Sequence, residues 1–172
     1  RDPLAGFGTF FGDFETFKSL EVGWSTGPKA RFFNSAHVTL WQQDARTEEG
    51  TSSGYGVSFY LGYVFRKHWL PFLRGGWAYA GDALYETAFS GGFGYSKDPS
   101  KGLLGVALGW SRPNEDTYGA KLEDQVAFEA FWMFELAKFI ELTPNVQYLI
   151  NPALNPDANS TALFGLRFRA AF

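Results

Sequence analysis

Residues 103–111 read Leu-Leu-Gly-Val-Ala-Leu-Gly-Trp-Ser, and this stretch carries the pattern that decides the fold. Large apolar side chains take every second position, and small residues take the positions between them. The large ones are Leu104, Val106, Leu108 and Trp110. Successive side chains of a β-strand point to opposite faces of the sheet. The stretch therefore predicts a strand with one large apolar face and one nearly bare face.

The same alternation recurs in segments along the rest of the chain, separated by polar or Gly- and Pro-containing connections. These segments are 19–25, 35–43, 55–65, 72–79, 87–96, 125–136, 140–150 and 162–172. With the first stretch they make nine strands of about ten residues, which suits a tilted strand crossing a bilayer. The Gly- and Phe-rich residues 4–12 are a candidate tenth strand. We therefore expect an all-β, antiparallel, up-and-down transmembrane β-barrel, with residues 1–172 as one barrel domain or as the C-terminal segment of a barrel.

Composition excludes several other classes of protein. Phe, Trp and Tyr supply 19, 6 and 8 of the 172 residues, Cys is absent, and the net charge is −3. A disordered chain is not this aromatic, and a disulfide scaffold or a Cys-built metal site needs Cys. The charge argues against nucleic-acid binding. The longest uncharged runs, 51–65 and 142–156, are too short and too polar for a transmembrane helix.

Connection lengths predict an orientation. Outer-membrane barrels have short periplasmic turns and longer extracellular loops. Counted back from the C-terminus, the connections alternate between long and short, with 80–86 of middling length. The long ones are 151–161, 112–124 and 44–54, and the short ones are Ala137 to Phe139, 97–101, 66–70 and 26–31. A periplasmic C-terminus would place every short turn in the periplasm.

Aromatic residues cluster toward both ends of the predicted strands, as in the aromatic girdles of membrane proteins. Those at the short-turn end are Trp24, Phe65, Trp69, Tyr95, Phe139 and Phe172. Those toward the loop end are Tyr55, Tyr79, Phe89, Trp110, Phe128, Tyr148 and Phe164. The alternative is that these rings form the core of a soluble β-domain. A terminal Phe172 after alternating apolar residues resembles the C-terminal signal of outer-membrane proteins, which implies recognition by the barrel assembly machinery.

Several segments resemble the carbohydrate-selective porin family (OprB-like). They are SLEVGW at 19–24, HVTLWQQD at 37–44, PFLRGGW at 71–77, LLGVALGWSRP at 103–113, DQVAFEAFW at 124–132, LTPNVQYLINP at 142–152 and GLRFR at 165–169. The resemblance implies a porin of the Gram-negative outer membrane, passive diffusion of small sugars, no cofactor, and contact with lipid bilayer and lipopolysaccharide. Homo-oligomerisation is a further expectation, because many porins are trimers.

The resemblance covers only the C-terminal half of the family pattern. Family members are about twice as long and form barrels of about sixteen strands. Three alternatives follow: a fragment, a part of a barrel closed by another chain, or a smaller closed barrel. In the last case residues 4–12 would have to pair with the final strand. The absence of an initial Met and of a signal peptide fits a mature or trimmed chain.

The predicted inward face carries the polar groups that could meet a sugar. We expect Arg74 in the sugar path, with Glu129 as a partner from another strand. Further lumen candidates are Glu21, His37, Trp41, Gln43, Gln125, Gln147, Arg167 and Arg169. Planar guanidinium and carboxylate groups form bidentate hydrogen bonds, and flat rings suit the face of a pyranose. The alternative for each residue is that inward Arg and Glu merely satisfy one another as a plug.

Inward glycine and alanine dominate segments 56–62, 76–78, 90–96 and 105–109. A small barrel fills its interior with side chains. Such bare walls therefore favour a wider barrel, or an inserted loop or N-terminal segment.

Two other functions remain as alternatives, a non-conducting structural or adhesin-type barrel and a lipid-modifying enzyme. The chain has two histidines, His37 and His68, and neither falls in a recognised catalytic signature. Glu129 and Glu135 would lie roughly 20 Å apart along one strand, too far for glycosidase chemistry. The sequence therefore predicts a channel and no catalytic residues.

Overall fold

The computed structural model describes residues 15–27, 34–46, 50–98 and 102–170. Nine strands form one sheet in which each strand pairs with its neighbours in sequence, and every described pair is antiparallel. The strands are β1 Phe17–Ser25, β2 Ser35–Gln43, β3 Gly54–Gly62, β4 Trp69–Ala80, β5 Tyr85–Tyr95, β6 Gly102–Pro113, β7 Gln125–Ala137, β8 Ile140–Ile150 and β9 Ser160–Ala170. The predicted all-β, up-and-down fold is confirmed. The candidate tenth strand at 4–12 and the terminal Phe172 lie outside the described residues.

The register places the predicted apolar residues on one common face. Leu40 lies opposite Leu20 on β1 and opposite Val57 on β3. The same parity continues across the sheet, so that Val106 lies opposite Phe93 and Ala130. We call this the outer face and the opposite one the inner face. A slip of one residue in any strand would exchange the two faces for that strand.

The sheet has almost no buried apolar core. Ala153 is the one buried hydrophobic residue in the described part of the chain, at 3% exposure, whereas thirty large hydrophobic side chains are exposed there. Phe164 on the outer face is 84% exposed. A soluble sandwich buries one face of each sheet. This sheet leaves its large apolar face open, as a barrel wall does toward lipid.

Connection lengths depart from the predicted alternation at two places. Between β4 and β5 only 81–84 remain at the long-loop end, whereas nine residues separate β1 from β2 at the short-turn end. The 81–84 turn is tight because Ala80, Gly81 and Asp82 all have positive φ, at 52°, 68° and 55°. The three long loops, 44–53, 114–124 and 151–159, do share one end. Length alone is therefore a weaker guide to orientation than the sequence suggested.

Helix is confined, in the described ranges, to one turn, α1 Glu115–Tyr118. Asn114 caps it by accepting a hydrogen bond from the Asp116 N–H at 3.0 Å, and Gly119 ends it in the left-handed conformation. No helix among the described residues has the length and hydrophobicity needed to cross a membrane.

Candidate functional site at the inner face

A cleft of about 600 Å³ opens on the inner face. Its floor is made by small inward residues from five strands, β3 to β7. These are Ser58, Gly76, Ala88, Ser90, Gly109, Ser111 and Ala127. Because these side chains are small, the inner surface of the sheet lies close to its backbone at this place. The result is the recess that forms the cleft. The bare wall expected from the sequence is therefore present, and it is local to the cleft.

An aromatic pair borders the cleft on the side of β2. The His37 and Tyr60 rings face each other across the β2–β3 ladder, with centroids 5.3 Å apart and ring planes 21° from parallel. Both residues line the cleft. Stacked rings present a flat, rigid apolar surface at low conformational cost.

Arg74 lies on the adjoining strand, directly opposite Tyr60 in the register. Its Nε donates a hydrogen bond to the Ser90 hydroxyl at 2.8 Å. In the described part of the chain, no carboxylate forms an ion pair with Arg74. The guanidinium is thus oriented by a neutral group and keeps its remaining donors free for a solute.

Glu129 does not contact Arg74. The two residues lie three strands apart, which separates their backbones by about 14 Å at 4.8 Å per strand. Glu129 instead accepts a hydrogen bond from the Asn145 side chain at 3.3 Å. Gln147 lies opposite Glu129 on β8. That Arg74 and Glu129 act as partners in the sugar path stays a prediction.

Trp41 and Glu21 lie on the inner face beside the first edge of the sheet. The Trp41 ring lies close against Gly56, where an added Cβ would come within 2.7 Å of its Cε2 and Cζ2 atoms. Trp41 also stacks on Phe17, with ring centroids 6.2 Å apart. Glu21 accepts a hydrogen bond from the Thr39 hydroxyl at 2.9 Å. This region offers a second flat surface beside a carboxylate.

Arg167 and Arg169 lie on β9, toward the short-turn end of the inner face. Arg169 forms an ion pair with Glu141 at 3.3 Å, and Glu141 lies opposite Glu135 on β7. Arg167 lies opposite Thr143. Arg169 therefore fits the alternative in which inward Arg and Glu merely satisfy one another as a plug. Arg167 has no ion-pair partner within the described ranges.

Gln43 and Gln125 lie where strands meet the long loops, and both hold loop backbone. The Gln43 amide donates to the carbonyl of Gly81 at 2.9 Å and to that of Ser52 at 3.3 Å. The Gln125 carbonyl oxygen accepts from the Ala153 N–H at 3.0 Å. Since both glutamines face inward, these bonds tie the loops to the inner side of the sheet. Their hydrogen-bonding capacity is thus partly used by the protein itself.

Tyr85 is a cleft residue that the alternation alone does not reveal. Counted back from Phe89, its position belongs to the outer face. A β-bulge between Tyr85 and Thr87 shifts the register, so that Tyr85 pairs with the inward Pro113 and lines the cleft. Bulges redirect side chains in this way. In the sequence, this bulge is marked only by two successive polar residues, Glu86 and Thr87, which interrupt the alternation at the start of β5.

The loops beside Tyr85 are joined by hydrogen bonds. The Thr117 hydroxyl donates to the Ala83 carbonyl at 2.8 Å, and the Asn114 N–H donates to the Leu84 carbonyl at 3.1 Å. Burial, and then the neighbouring Tyr85, raise the pKa of the Tyr118 phenol. Its hydroxyl therefore stays protonated and neutral at physiological pH.

Asp44 follows β2 at the same end. The pKa of its carboxyl lies below the ordinary value, first because the Thr16 hydroxyl donates to it at 2.5 Å and then because the Thr16 N–H does so at 3.0 Å. The Lys18 ammonium, with its Nζ 3.7 Å from Asp44 Oδ2, also lowers the pKa of Asp44, but more weakly. These bonds hold the start of β1 to the end of β2.

No group of three or more His, Asp or Glu in the described residues is arranged to hold a metal ion. His68, the other histidine, lies in the 63–68 turn with its Nδ1 3.0 Å from the Ser96 carbonyl oxygen. What the inner face offers is hydrogen-bonding and stacking surface.

The open apolar outer face and the polar, partly bare inner face define a class of protein, the membrane-spanning β-barrel with a water-facing lumen. Residues 94–172 match the family model of the carbohydrate-selective porins, OprB family. The predicted resemblance is confirmed.

A solved structure, the high-pH form of OprB from Pseudomonas putida, has a similar fold. The TM-score is 0.69 at 12% identity, over 92% of this chain and 49% of the other. The chain thus spans about half the length of that protein. None of the curated proteins matches.

Proposed function

We propose that this chain forms part of the wall of an outer-membrane porin through which small sugars diffuse passively. The observation that carries the proposal is the cleft on the inner face. It combines a recessed floor of small residues, the His37–Tyr60 stack, and the Arg74 guanidinium held by the neutral Ser90. The family match supports sugars as the solute class.

The geometry suits a weakly retained, neutral and polyhydroxylated solute. A pyranose has one less polar face that can lie against stacked rings, and hydroxyls at its edge that accept hydrogen bonds from a guanidinium. Selectivity in pores comes from such linings, and passage requires that binding stay weak enough for release. Further candidates for stacking and hydrogen bonding with a sugar lie along the inner face. They are Trp41, Glu21, Gln147 and Arg167.

The test is sugar block of ion current through the purified protein in planar bilayers, with glucose as the probe. Arg74→Ala should weaken glucose binding about tenfold, since one charge-assisted hydrogen bond is worth about 1.5 kcal/mol. It should also shift ion selectivity toward cations. Arg112→Ala is the matched control, because it removes an arginine from the outer face, where Arg112 pairs with Asp124 at 3.5 Å.

Unchanged glucose block in Arg74→Ala, with lower thermal stability, would show that Arg74 is structural. A protein that inserts but conducts no ions would favour the non-conducting barrel. Release of fatty acid from lipid A would instead favour an enzyme.

Orientation and assembly belong to the same proposal. We place the long loops outside the cell and the C-terminus in the periplasm. We expect the assembly machinery to recognise Phe172, and lipopolysaccharide to surround the loops. The chain would form one barrel segment in a homo-oligomer. Because the chain contains no Cys, single cysteines at Ser53 and Lys97 can report orientation. An impermeant maleimide should label Ser53→Cys on intact cells, and labelling of Lys97→Cys alone would reverse the assignment.

A further inference from the structure

The described connections at the two ends of the sheet carry opposite net charge. In the described connections at the short-turn end there are four cations, Arg66, Lys67, Lys97 and Lys138, and one carboxylate, Asp98. The described connections at the long-loop end hold two cations, Arg46 and Lys121, and seven carboxylates. This asymmetry runs along the direction in which the strands would cross a bilayer.

At the short-turn end, two cations lie over exposed aromatic rings. The Arg66 guanidinium carbon is 5.1 Å from the centre of the Phe65 ring, and the Lys138 ammonium is 5.0 Å from that of Phe139. The rings are 50% and 57% exposed. Aromatic girdles lie at the depth of lipid headgroups. A cation held over such a ring lies at the depth of the lipid phosphates.

Three cations of these turns have no carboxylate partner among the described residues. In the part of the chain that the structure describes, Arg66, Lys67 and Lys138 form no ion pair with a carboxylate. The backbone is fixed in unusual conformations, with φ of 49° at Arg66, 64° at Lys67 and 68° at Phe139. Each turn thus displays its cation from a tight, defined bend.

Cations of the outer face near the long loops are placed differently. Lys18 pairs with Asp44 at 3.7 Å, and Arg112 pairs with Asp124 at 3.5 Å while lying over the Trp110 ring. Asp124 also accepts a hydrogen bond from the Trp110 indole at 3.1 Å. At this end the protein supplies the anion itself. At the other end, no described carboxylate takes this place beside Arg66, Lys67 or Lys138.

We infer that the short-turn end binds the phosphate groups of anionic phospholipids through Arg66, Lys67 and Lys138, with Phe65 and Phe139 against the upper acyl chains. The cation meets the phosphate, and the ring beneath it meets the glycerol and hydrocarbon region. Clusters of basic residues beside a membrane attract anionic lipid. The inference rests on the membrane-spanning fold and is independent of which solute the lumen carries.

The experiment measures which lipid associates with the reconstituted protein. Spin-labelled phosphatidylglycerol and spin-labelled phosphatidylcholine are compared in phosphatidylcholine vesicles, and the ratio of their association constants is read from the motionally restricted signal. We expect a ratio of about 3 or more at low salt that falls toward 1 at high salt, because salt screens exposed charges. A ratio of 1 at low salt would overturn the inference.

Substitutions locate the effect. A triple variant should bring the ratio close to 1; it combines Arg66→Gln, Lys67→Gln and Lys138→Gln. The single variant Lys138→Gln should lower the ratio partly. It provides a second test if the triple variant refolds poorly. Lys121→Gln, which removes a long-loop cation, is the matched control and should leave the ratio unchanged. An equal loss in Lys121→Gln would show that overall charge governs binding, and would contradict the inference.

Soluble phosphate distinguishes the source of the ligand. Glycerol 3-phosphate at millimolar concentration should not displace the spin-labelled lipid, because the rings contribute only when acyl chains are present. Displacement would show a site for free phosphate esters and would overturn the assignment to lipid. Either outcome of the Arg74 experiment would leave these lipid results unaffected.

Discussion

The outer and inner faces of this sheet are built by alternate residues of the same strands, yet they suit two different solvents. On β6 the outer face presents Leu104 and Leu108, which are more than half exposed, while the inner face presents Gly105 and Ala107. The inner face also carries directed hydrogen bonds, such as that between Arg74 and Ser90. The solvent that each side chain suits is therefore set residue by residue along a strand, and neither face needs a continuous apolar run in the sequence.

The largest expected effect comes from placing a charge on each face of one strand. Val106→Arg should destabilise the inserted protein by about 2–4 kcal/mol, because position 106 faces lipid near the middle of β6. Ala107→Arg should cost less, because its side chain enters the lumen. Refolding titrations into lipid vesicles measure both. Phe168→Arg on β9 repeats the test at the far edge of the sheet, and a reversed order at either strand would mean that the register is off by one residue.

A smaller effect is expected where the inner face holds a loop. Gln125→Leu removes the acceptor of the Ala153 N–H and should cost about 1 kcal/mol in the free energy of unfolding. It should also release the 151–159 loop, so that a protease nicks the loop faster. Gln147→Leu is the control, because Gln147 faces inward and anchors no loop in the described ranges. Equal loop proteolysis in the two variants would refute the anchoring role of Gln125.

The smallest effect concerns pH at the long-loop end. Because the pKa of Asp44 is lower in the folded protein, its contribution to stability is present above the ordinary value of 3.8 and is lost as the pH falls through the folded-state pKa. Thr16→Val removes the strongest hydrogen bond to Asp44 and should flatten this acid dependence. Thermal unfolding between pH 2 and pH 6 measures it, in steps of about half a pH unit. A dependence that persists in Asp44→Asn would have to come from another carboxylate.

The alternation predicted the fold well because each strand has to satisfy two solvents at once. Leu104, Val106 and Leu108 could not be moved to the inner face without exposing Gly105 and Ala107 to lipid. The antiparallel order of the nine described strands and the common face of their paired apolar residues followed from this constraint.

What the sequence did not predict depends on departures from regularity. The bulge that turns Tyr85 inward leaves only a weak trace in the alternation. The tight 81–84 turn depends on positive φ at Ala80 and Asp82, residues that do not require it. The loop contacts of Gln43 and Gln125 join segments distant in sequence, so their roles as anchors became visible only in three dimensions.

One face of this sheet is expected to meet lipid and the other to meet water, and the absence of Cys allows a direct test. Single cysteines are placed in turn at positions 103–110 and spin-labelled in bilayers, and accessibility to oxygen and to a water-soluble nickel complex is measured. We expect oxygen accessibility to peak at 104, 106 and 108, and nickel accessibility to peak at 105, 107 and 109. Profiles in the opposite phase, or without a period of two residues, would contradict it.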